Sequence, residues 1–64
     1  MFYVAYWVAS DELEGEVSGI CSHEQAARKW LAKYRDLYHP SKSGVKKFRV
    51  VKEARSFVLN WRPE

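Results

Sequence analysis

The chain has 64 residues, with eleven Lys and Arg against eight Asp and Glu and a formal net charge of +3. That length bounds it to one domain, residues 1–64, and a domain this small buries only ~60% of its unfolded surface, so its ten aromatic side chains have to supply much of the core. A single cysteine, Cys21, excludes an internal disulfide framework, and the apolar run at 2–9 lacks a basic flank and is too short for a signal peptide or a membrane span. A cytoplasmic protein with no membrane attachment is the expectation.

Residues 2–9, Phe-Tyr-Val-Ala-Tyr-Trp-Val-Ala, are aromatic and β-branched and predict a strand. Alternation puts Phe2, Val4, Tyr6 and Val8 on one face and Tyr3, Ala5, Trp7 and Ala9 on the other. Both faces are apolar, as in a central strand. Residues 10–15 are a polar turn, and 16–21 predict a second strand, joined to the first as an antiparallel hairpin.

Residues 22–38 predict an amphipathic helix. Ser22 with Gln25 has the spacing of a capping box, and Glu24 falls in the first turn, where the helix dipole favours negative charge. Ala27, Trp30, Leu31, Tyr34 and Tyr38 form the apolar stripe. Glu24 and Arg28 are spaced for an i, i+4 pair. Pro40 disfavours helix at His39, so the helix should stop at Leu37 or Tyr38.

Residues 39–44 have loop composition, and 46–52 predict a third strand with a basic outer side. Residues 56–61 read as a fourth strand returning through 52–55, although Ala54, Val58 and Trp61 are also spaced for a short helix. The fold class is therefore α+β, ββαβ(β): a small, mostly antiparallel sheet in order 2-1-3, with strand 4 outside strand 3. One amphipathic helix packs on one face.

Charge is segregated along the chain. Residues 1–24 carry five carboxylates and no Lys or Arg, while residues 25–64 carry all eleven basic residues against three carboxylates. Such asymmetry argues about partners.

No arrangement here points to catalysis, and no enzyme activity, cofactor or metal is expected. Cys21 and His23 lack the orienting group and oxyanion site of a nucleophile pair. Cys21, His23 and His39 do not have zinc-site spacing and lack a fourth ligand. The acidic turn Asp11, Glu12, Glu14 and Glu16 lacks the glycine-centred loop of an EF-hand, and residues 41–44, Ser-Lys-Ser-Gly, lack the order of a phosphate loop.

Two surface sets remain. Tyr3 and Trp7, placed on an outward face of the first strand, are candidate anchors for a partner protein, with Arg28, Lys29, Lys33 and Arg35 of the helix steering it electrostatically. Lys42, Lys46, Lys47, Arg49 and Lys52 are the candidate phosphate contacts of an alternative, direct DNA or RNA binder. The plan with its lone basic helix is similar in outline to compact phage-encoded proteins, including some anti-CRISPR inhibitors. It is also similar to small sheet-plus-helix DNA-binding domains of mobile-element recombinases. The likeness is architectural and covers most of the chain, and no functional residue is carried over from it. The expected function is a small binding module that occupies a surface of a larger protein or nucleoprotein complex, with a phage-type inhibitor as one instance. A homodimer is a further expected arrangement.

Overall fold

The computed structural model describes residues 1–11 and 13–63. Its elements are β1 (Phe2–Val8), β2 (Gly15–Val17), α1 (Glu24–Tyr38), β3 (Lys42–Phe48) and α2 (Val51–Asn60). The sheet is antiparallel in order β2-β1-β3, so the central position expected for the first strand is the one it takes.

β1 is sandwiched. The side bearing Tyr3, Ala5 and Trp7 faces α1, where Ala5, Trp7, Ala27 and Leu31 form the buried cluster and Trp30, Tyr34 and Val45 pack around it. The side bearing Val4 and Val8 is also buried. On that side Phe48, opposite Phe2, brings its ring to 5.4 Å from Phe57 of α2. The segment proposed as a fourth strand is thus a helix. A strand there would have extended the sheet and left Val4 and Val8 in water. The helix takes in the expected return at 52–55 as well, buries Ala54 completely and covers that face.

β3 also differs from expectation. It begins at Lys42, inside the predicted loop, and ends at Phe48. All seven β1 residues find partners on it, from Phe2 opposite Phe48 to Val8 opposite Lys42. A complete hydrogen-bonded ladder outweighs the weak turn preference of Ser-Lys-Ser-Gly. Gly44 lies opposite Tyr6, and a Cβ there would come within 3.1–3.3 Å of the Tyr6 ring, so the glycine makes room for the aromatic.

β2 is shorter than predicted because the chain bulges after it. Val17 pairs with Tyr6, but the next bridge joins Cys21 to Tyr3, so three residues, 18–20, oppose two on β1. Buried Ser18 fills the gap: its Oγ accepts from the Ala5 N–H at 2.9 Å and donates to the Gly19 carbonyl at 2.8 Å. The extra residue reverses the side-chain parity, which is why Cys21 reaches the α1 side although Val17 shares a side with Tyr6.

The bridge at Cys21 holds the chain extended just before α1. The helix therefore starts at Glu24 with His23 as its N-cap and no side-chain cap bond, and the Ser22–Gln25 capping box does not form. The Arg28–Glu24 pair does form, with Arg28 Nε donating to Glu24 Oε2 at 2.7 Å. The helix stops at Tyr38 as expected. His39 adopts the left-handed conformation (φ 46°, ψ 60°) and donates its N–H to the Arg35 carbonyl. Past α2, the tail folds back across the hairpin: a Cβ on Gly15 would meet the Trp7 carbonyl oxygen at 2.6 Å and the Trp61 ring at 2.7 Å. Among the described residues, no helix is long and apolar enough to cross a membrane.

Candidate functional site

The first correction concerns the proposed anchors. Trp7 is only 3% exposed and lies in the core under α1, and Tyr3 is half-buried on the same side. Alternation permits an outward placement because both faces of β1 are apolar, and periodicity alone does not say which face a helix will cover. The Trp7 indole is overlaid by Tyr38, at 5.0 Å and 6°, and by Tyr34, at 5.7 Å and 19°. Tyr34 and Tyr38 lie 6.1 Å apart, so the two phenol rings tile side by side on the indole. Trp7 Nε1 is buried with no hydrogen-bond acceptor among the described residues.

The aromatic available to a partner is instead Tyr38, 55% exposed at the last turn of α1. Beside it Leu37 is 70% exposed. The sequence placed Tyr38 on the buried stripe, and its angular position fits that. The stripe, however, runs to the end of the helix, where its final residue rests against Trp7 and Tyr34 and stays half in solvent.

Arg28, Lys29, Lys33 and Arg35 are all exposed. At ~100° per residue they form two rows rather than one patch. Arg28 and Arg35 share one flank, and Lys29 and Lys33 lie around the helix from them. Lys33 falls one turn before Leu37, and Arg35 falls one turn before Tyr38, so the two cations flank the two exposed apolar groups at the C-terminal end of α1.

The second set, Lys42, Lys46, Lys47, Arg49 and Lys52, is also exposed. Its order follows from β3. Lys42 and Lys46 lie opposite Val8 and Val4 and so project on the α2 side, about 13 Å apart along the strand. Lys47, opposite Tyr3, projects on the α1 side. Arg49 follows the strand directly, and Lys52 stands in the first turn of α2. The helical form of 51–60 adds exposed Arg55, which a strand reading did not group with the others. Of the eleven Lys and Arg, Arg28 is the one that pairs with a carboxylate among the described residues.

The residues weighed for chemistry are not gathered. Cys21 is half-buried at the margin of the core, its Sγ 3.6 Å from the Gly19 carbonyl. His23 and His39 sit at opposite ends of α1, about 24 Å apart by helix length. Among the described residues, no three of His, Cys, Asp and Glu converge. Of the acidic turn, Asp11 and Glu14 are exposed, and Asp11 is engaged locally, accepting from the Leu13 N–H at 3.0 Å. Glu12, like Glu64, lies outside the described residues. An open depression at the start of α1 is lined by His23, Gln25, Ala26, Arg28 and Lys29.

No protein-family model, curated protein or solved structure matches the chain. The surfaces are therefore read from their own chemistry.

Proposed function

We propose that the protein is a non-enzymatic binding module that occupies an acidic surface of a larger protein or nucleoprotein partner. The observation that carries this reading is the display, on α1, β3 and α2 of so small a fold, of exposed cations that have no carboxylate partner among the described residues. A cation already engaged by a neighbouring carboxylate has little left to offer a partner, whereas a solvated free one steers encounter and matches acidic groups at low desolvation cost. Lys29, Lys33 and Arg35 supply that charge on α1. Tyr38 and Leu37, exposed beside them, supply the apolar contact that Trp7 and Tyr3 do not. A phage-type inhibitor that blocks a host nucleoprotein is one concrete instance, supported by its size and outline.

A nuclease-treated pull-down tests this. The expected result is a defined protein partner whose capture survives nuclease and weakens with salt. Recovery of nothing, or only of nuclease-sensitive material, ends the reading. The line of Lys42, Lys46, Lys47, Arg49 and Lys52 supports a second reading, direct binding of DNA or RNA through phosphate contacts. That reading expects oligonucleotide affinity that falls steeply with salt, and absence of binding at low salt removes it.

A further inference from the structure

The two edges of the sheet are unequal. β2 offers three residues, then bulges at 18–20, where Ser18 bonds to Ala5 out of register, and bridges β1 again at Cys21. The tail residues Trp61 and Pro63 lie across Gly15 at its start. β3 offers seven residues in unbroken register with β1, and among the described residues no strand lies beyond it. In such a strand alternate N–H and C=O groups point away from the sheet, and no hydrogen bond of the described residues reaches that outer row. Both helices pack on β1 and β3, so the open edge runs between them.

From this, and resting on the reading of the protein as a protein-binding module, we propose that the free edge of β3 is a docking site. Its occupant is an acidic, extended segment of the partner, added to the sheet as a fourth strand. The charge pattern selects the occupant. Lys42 and Lys46 project on one side of the sheet and Lys47 on the other, with Arg49 just beyond. An added strand sends its own side chains alternately to the two sides, so carboxylates on either side meet a lysine. A second copy of this chain is disfavoured by the same residues, because pairing two β3 edges gathers the lysines of both copies along one seam. The lysines thus guard the edge against self-association while leaving it complementary to an acidic strand.

A synthetic peptide of alternating Glu and Thr, titrated into the whole protein and followed by backbone amide NMR, tests the proposal. The expected shifts centre on residues 42–48, and a matched peptide with Gln for Glu binds about tenfold more weakly at low salt, a gap that narrows as salt rises. The Glu–Thr peptide N-methylated along its backbone keeps its charge but cannot pair, and its binding is expected to be lost. Equal binding of the N-methylated peptide overturns strand addition and leaves the broader reading of an acid-binding module intact. Failure of the Glu–Thr peptide to bind, with a partner still recovered in the nuclease-treated pull-down, overturns this inference alone. Failure of both overturns both. Concentration-dependent dimerisation with protection of the β3 amides also overturns it, because the edge would then serve a second copy.

Discussion

The two faces of β1 bury apolar groups by different means. On the α1 side large rings do the work: Trp7 lies under Tyr34 and Tyr38, Trp30 packs on Tyr34 at 4.6 Å, and Ala27 and Leu31 close the centre. On the α2 side the buried groups are small, Val4, Val8 and Ala54, and the aromatic contact is a single tilted pair, Phe48 with Phe57. One helix is held by stacked area and the other by close approach, so the two sides should respond differently to loss of volume. The α1 side has more to lose. The α2 side is more easily lifted, because a ten-residue helix with one fully buried residue has little else to anchor it.

The largest expected effect tests the first half of that contrast. Trp7→Ala removes the ring on which two tyrosines rest and is expected to cost ~3–5 kcal/mol, by analogy with buried aromatic truncations. Denaturant unfolding should show a greatly lowered midpoint or an unfolded chain. A loss within ~0.5 kcal/mol would mean that the indole does not support α1.

Gly15→Ala acts where the tail crosses the hairpin. Its new methyl group would meet a backbone oxygen at 2.6 Å, which cannot swing aside, and the expected cost is ~2–3 kcal/mol. Gly19→Ala is the control: nothing stands within 4 Å of a Cβ there, and the effect should stay within ~0.5 kcal/mol. Equal effects of the two would refute the close approach of the Trp7 carbonyl and the tail to Gly15.

Phe57→Ala probes the α2 side. Phe57 is half-buried, so the expected cost is lower, ~2 kcal/mol. The sharper readout is hydrogen exchange: amides of Val51–Asn60 should lose protection while those of Glu24–Tyr38 keep it. Uniform loss would show that the two helices unfold as one unit and that the contrast is only geometric.

The smallest effect is a gain. His39 is the one non-glycine residue with positive φ among the described residues. His39→Gly should raise stability by ~0.5 kcal/mol, as relief of the left-handed strain exceeds the entropy that glycine adds to the unfolded chain. A clear loss in thermal melting would mean that the imidazole makes a contact worth more than the strain.

The candidate surfaces were only partly legible. The cations could be read directly, because Lys and Arg go to the surface wherever the fold places them. Their grouping could not, since it depends on β3 starting at Lys42 and on residues 51–60 being helical. The aromatics were misassigned for a reason internal to the pattern. Tyr3 and Trp7 are, like Phe2 and Tyr6, large and mainly apolar, so alternation sorts the two sets without ranking them. The bulge at 18–20 hid in the same way, because it depends on Ser18 substituting for a ladder partner of Ala5 rather than on a local turn signal.

By itself the sequence determined the strand at the centre, the amphipathic helix, its stop before Pro40, the order β2-β1-β3 and the separation of acidic and basic halves. These follow from short-range periodicity, from proline sterics and from the rule that a strand apolar on both sides must lie inside. Tertiary structure decided which face of β1 takes α1, where β3 begins, and whether the last segment is strand or helix. Those choices turn on burial. Each alternative satisfies the local pattern about equally well, and only the observed combination buries both faces of β1 while leaving β3 an open, lysine-bearing edge.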